Sequence, residues 1–94
     1  MNYEESARRI GKITGESGKI IANTSKSIHT RINSVERSIN ALKEIGIDAE
    51  GKSSSQVLEE LDSVWKSLDK QTQQDLGIKI AGRYNFSRFI AMMG

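Results

Sequence analysis

The chain has 94 residues, 36% of them hydrophobic, with two Phe, two Tyr and one Trp. A domain of this size buries roughly 60–65% of its unfolded surface, enough for a thin core but not for a deep catalytic cleft. Lys and Arg number 14 against 12 Asp and Glu, so the net charge of +2 falls short of a dedicated duplex-DNA binder, and the lack of cysteine excludes disulfides and thiolate zinc sites.

No proline interrupts the chain, so only glycine can break its helical stretches. The N-terminal region is too charged to hold the apolar segment of a signal peptide. The longest apolar run, Phe89 to Met93, is far short of the ~20 residues of a membrane span. These features predict a soluble, intracellular, all-α protein.

Residues 1–14 read as a short or flexible N-terminal helix, with Asn2 as cap, Glu4 and Glu5 in the first turn, and Ala7, Ile10 and Ile13 on one side. Gly11, Gly15 and Gly18 suit either a flexible entry or a smooth face against another helix. A long helix is predicted over about 17–45. Ile21, Ile28, Ile32, Val35, Ile39 and Leu42 recur at three- and four-residue spacing, while Lys19, Lys26, Asn33, Arg37 and Glu44 face water. The same stripe can be written as heptads, which leaves a coiled coil and packing within the chain both open. Gly46 suits the left-handed position after the last turn, with Ile47 folding back onto Leu42.

The segment 46–55 is a turn-rich connection. A helix over about 54–67 starts where Ser53 and Gln56 form a capping box, and Val57, Leu58, Leu61, Trp65 and Leu68 make its apolar face. Asp69 caps a further helix over about 69–81, carrying Thr72, Leu76 and Ile80. Phe86, Phe89, Ile90 and Met93 then mark a last helix over about 83–93. At 100° per residue, Ile80 and Phe86 would lie about 240° apart on one continuous helix. The apolar stripe therefore jumps at Ala81-Gly82, and a break is predicted there.

Motifs with chemical potential fail on their surroundings. Gly15-Glu16-Ser17-Gly18-Lys19 has the look of a phosphate loop, but Ile13 and Ile20 stand where it needs glycine and a magnesium-binding hydroxyl. Ser67-Leu68-Asp69-Lys70 matches an acyl-transfer pattern that is cheap without a base and an oxyanion hole. His29, the only histidine, has no metal-ligand partner at useful spacing and reads as a surface or boundary residue. Glu59, Glu60 and Asp62 read as a solvated helix start. Arg83 and Arg88 beside Tyr84 and Phe86 read as the outer face of a core helix rather than a nucleic-acid surface. No catalytic, cofactor-binding or metal-binding residues are assigned.

The second half of the chain resembles a recurring segment of the tail tape measure proteins of long-tailed bacteriophages, especially those of prophages. The resemblance runs through Gly46-Ile47, Val57-Leu58-Glu59-Glu60-Leu61, Trp65-Lys66-Ser67-Leu68, Gln73-Gln74 and the stretch from Ile80-Ala81-Gly82 through Phe86, Phe89 and Ile90 to Met92-Met93. Upstream, Thr14 to Gly18 and Lys26 to Ile32 are similar to the helix that precedes this segment in the family. The resemblance covers about 13–93.

It implies a virion structural protein without catalysis or cofactor, acting in tail assembly and length determination. It also implies residence in the virion tail, or in host cytoplasm during assembly, and contacts with tube, chaperone or baseplate proteins and with further copies of itself. The whole is expected to be a bundle of three to four helices, with a module over 15–94 preceded by the N-terminal helix. Trp65, Leu68, Ile80, Ala81, Gly82, Phe86, Phe89, Ile90 and Met93 would form its packing motif, and Gly46 and Ile47 a helix cap. Gly82 would let the last helix approach closely. The alternative from another class is a small helical regulatory or nucleic-acid-binding module.

Overall fold

Polar caps and left-handed glycines decide where each helix of this chain starts and stops. In the computed structural model, which describes residues 1–94, five α-helices follow one another with no strand: α1 (Tyr3–Thr14), α2 (Gly18–Ile32), α3 (Glu36–Glu44), α4 (Ser54–Val64) and α5 (Lys70–Met93). A single 3₁₀ turn, Trp65–Ser67, extends α4.

Four of the five starts carry a side-chain cap that satisfies a free N–H of the first turn. Asn2 accepts from the Glu5 amide at 2.9 Å, and Ser17 accepts from that of Ile20. Ser53 and Gln56 form the reciprocal pair of a capping box, at 3.2 and 2.9 Å. Asp69 accepts from the Thr72 amide at 2.7 Å, a bond that holds its carboxyl below the usual range. Gly46, at φ 85°, closes α3. Its N–H donates to the Lys43 carbonyl and that of Ile47 to the Leu42 carbonyl, the paired bonds of a Schellman cap.

The expected single helix over 17–45 is corrected to two. Asn33 and Ser34 turn the chain, and Val35 is extended (φ −85°, ψ 124°) before α3 begins. Local and distant bonds hold this break. The Ser34 hydroxyl donates to the Thr30 carbonyl, buried Ser38 donates to the Ile32 carbonyl, and Asn33 donates to the Lys52 carbonyl. Such side-chain bonds offer the backbone an alternative to continuing the helix. The heptad seam is interrupted at the same place, so it cannot serve as one uninterrupted coiled-coil stripe.

The N-terminal helix is no loose entry. Ile10 is fully buried, α1 packs against both α2 and α5, and a Cβ on Gly11 would come within 2.9 Å of the Ile21 Cδ1 atom. One apolar cluster spans the whole chain, from Ile10 through Ile28, Ile32, Leu42, Leu58 and Leu61 to Phe89 and Met93. Residues 1–14 therefore share their core with 15–94.

α5 is not straight. Gly82 takes φ 80° and ψ 169°, a region open almost only to glycine. The arm 83–93 folds back on the arm 70–81, laying the Phe86 ring against Gly77, where an added Cβ would sit 2.9 Å from the ring. Close approach is thus the role of Gly77, whereas Gly82 supplies the turn: a Cβ on Gly82 would meet nothing nearer than Arg31 at 3.7 Å. Because there is room for that Cβ, Gly82→Ala isolates the backbone cost. We expect a loss of about 1–3 kcal/mol in urea unfolding, and an unchanged midpoint would contradict the assigned turn.

Candidate functional site

The residues singled out from the resemblance meet at the folded-back end of the chain. Trp65 is 4% exposed, and its indole stands edge-on to the Phe89 ring, 5.8 Å between centroids and 79° between planes. Ile80, Ala81, Phe89 and Met93 are buried, while Leu68 and Ile90 pack half-buried against the same cluster. Phe86 is half-buried over Gly77. The Trp65 carbonyl accepts from the Gln73 amide group at 2.8 Å, which ties the 3₁₀ turn to the first arm of α5. Gly46 and Ile47 end α3 instead.

Two arginines secure this hairpin to the rest of the molecule. Arg31 of α2 donates from Nε to the Ile80 carbonyl at 2.7 Å. That carbonyl lies two residues before the break at Gly82, where the charged donor ties α2 to the interrupted helix. Arg88 of the second arm grips Glu16 through two bonds, Nε to Oε1 at 2.8 Å and Nη2 to Oε2 at 2.6 Å. The guanidinium holds the Glu16 carboxyl below its usual range. Arg88 also lies over the Tyr84 ring, 5.1 Å from its centroid, and donates to the side-chain amide oxygen of Asn85. The stretch that looked like a phosphate loop is therefore a helix connection: Gly15 takes the left-handed turn, Glu16 anchors Arg88, and Ser17 caps α2.

His29 corrects the sequence reading most sharply. It is 1% exposed, not a boundary residue. Its Nε2 lies 2.8 Å from the Ser6 hydroxyl of α1, and its Nδ1 lies 2.7 Å from the Ser54 hydroxyl at the start of α4. Ser6 already gives its proton to the Asn2 carbonyl, so it must accept from His29. Nε2 then carries the proton, and Nδ1 accepts from Ser54. The Tyr3 ring covers the imidazole at 4.3 Å. One turn before His29, Ser25 donates to the Tyr3 carbonyl. Two polar side chains on the buried face of α2 thus hold α1 in place. A serine within reach of a histidine invites comparison with a nucleophile and its base. Ser6 is completely buried, however, and its oxygen is committed on both sides, so no substrate can meet it.

Other chemistry is equally unsupported by placement. The Ser67 hydroxyl is spent on the Val64 carbonyl. No three His, Asp or Glu side chains gather closely enough to hold a metal ion, and no helix is long and apolar enough to cross a membrane. No protein-family description matches this chain, and no solved structure matches it.

Two predictions follow from these contacts. Trp65→Ala removes the larger ring of the Trp65–Phe89 pair and should destabilise by about 3–5 kcal/mol. A native tryptophan emission typical of full exposure would contradict the placement. Burial, and then the nearby Met1 amino group, push the His29 imidazole below its ordinary 6.5, with the Asn2 backbone pulling the other way. The unfolded chain therefore binds a proton more readily than the folded one. The contribution is complete above about pH 6.5 and is lost as pH falls through the lower folded value. Urea midpoints between pH 5.5 and 7.5 should decline toward acid in the native chain more steeply than in His29→Gln; parallel curves would refute it.

Proposed function

We propose that this chain is a non-catalytic structural segment of a phage tail tape measure protein, contributing to tail assembly and length determination through protein–protein contacts. It works in the virion tail, and in host cytoplasm while tails assemble, against tube, chaperone or baseplate proteins and further copies of itself. One observation carries the reading: the residues of the resemblance, from Trp65 through Ile80 and Gly82 to Phe89 and Met93, are spent on packing one helix hairpin. A motif that builds a shape, with its polar side chains paired inward, suits an assembly part better than a catalyst.

The longest dimension of the folded chain is 34 Å, whereas the same residues as one straight helix would span about 140 Å. In this reading the segment is a folded knot on the tape rather than a stretch of the ruler. Tagging the chain in its own gene and purifying particles after lysis tests it. The tag should co-purify with tails, and deleting the segment should change tail length or abolish tails. Particles free of the tag, or tails unchanged by the deletion, would refute the reading. Tight binding to duplex DNA with a steep salt dependence would instead favour a regulatory, nucleic-acid-binding module.

A further inference from the structure

A surface groove of about 560 Å³ lies away from the hairpin turn, among α1, the end of α4 and the last turn of α5. Its floor includes Met93, a polarisable side chain that adapts to varied partners. One wall is Ile13, the next residue along the α1 stripe after fully buried Ile10. Yet Ile13 is 67% exposed, so the stripe of α1 runs off the core and into the groove.

The charges around this apolar strip are unbalanced. Arg9 and Asp62 neutralise each other across it at 3.1 Å, and Arg9 also holds Glu5. Lys12 and Lys66 line the same groove and make no ion pair. An exposed aliphatic side chain between two free ammonium groups complements an aliphatic side chain flanked by carboxylates.

We propose that this groove docks an acidic amphipathic helix of a partner protein, with an aliphatic side chain against Ile13 and Met93 and carboxylates on Lys12 and Lys66. The helix-in-groove mode presents one apolar face with polar flanks, the pattern that Ile13 and Met93 beside Lys12 and Lys66 complement. A nucleic acid would satisfy the lysines but would leave the apolar floor without a partner. The inference shares Met93 with the packing behind the tail reading, but it rests on the charge and exposure of the groove and survives that reading's failure.

The probe is a synthetic helical peptide with leucines at i, i+3 and i+7 flanked by glutamates, beside a control with lysine in place of every glutamate. Methyl NMR of the whole chain follows Ile13 and Met93. The acidic peptide should shift both signals saturably and bind less tightly as salt rises. Ile13→Ser and Lys66→Glu, both at exposed positions, should each weaken it about tenfold while leaving the urea midpoint unchanged. Absence of shifts at millimolar peptide, equal binding of the lysine control, or a DNA duplex moving these signals where the peptide does not would each overturn the proposal.

Discussion

A single backbone turn at Gly82 carries the architecture. Without it, residues 70–93 would be one rod, with Ile80 and Phe86 on different sides and no common face to bury. With it, the second arm lies along the first, and the side chains of both arms face the same cluster as α1, α2 and α4. Two further conditions make the turn effective. Gly77 leaves room for the Phe86 ring, and Trp65, carried on the 3₁₀ turn before α5, meets Phe89 on the returning arm. Arg31 reaches across from α2 to the Ile80 carbonyl just before the turn.

The remaining helices are held by polar contacts placed where the apolar core is thin. α1 contributes one fully buried aliphatic side chain, Ile10, and its position is completed by Ser6, Ser25 and His29. Each of these buried hydroxyl and imidazole groups has a partner, and none is left unsatisfied. A satisfied buried network fixes one arrangement of helices because any slip would strand a polar group. The Glu16–Arg88 pair does the same between the α1–α2 connection and the C-terminal arm. These groups are occupied with each other, which bears on function: the interior is a fastening, and what remains for a partner is surface.

The amino-acid order revealed the features that local chemistry decides. The box of Ser53 and Gln56, the cap at Asp69, the glycine stop at Gly46 and the phase jump before Phe86 each depend on residues a few positions apart. The break between α2 and α3 is not legible in the apolar pattern, for a definite reason. Ile32 and Ile39 are seven residues apart, so the apolar register continues through extended Val35 as though no break existed; only Asn33-Ser34 hinted at a turn. His29 was illegible because its partners Ser6 and Ser54 lie 23 and 25 positions away. The one hint was Ser25, a polar side chain in the apolar stripe one turn earlier. In the hairpin, the large buried residues were readable from their spacing, but the part played by Gly77 depends on which ring faces it. The groove at Ile13 was hidden because the pattern marks a helix face without saying how far the core beneath it extends.

The folded-back geometry of residues 70–93 underlies both the packing and the functional reading, and a distance measurement examines it without disturbing the core. The chain has no cysteine, so labels at Lys70→Cys and Ser87→Cys are the only thiol sites. Both positions border one small groove between the two arms, whereas on an unbroken helix they would be about 26 Å apart along the axis. Pulsed electron spin resonance should give a narrow distribution centred well below that separation. A distribution centred at or beyond it would mean that the arms do not fold together at Gly82, and would contradict the account.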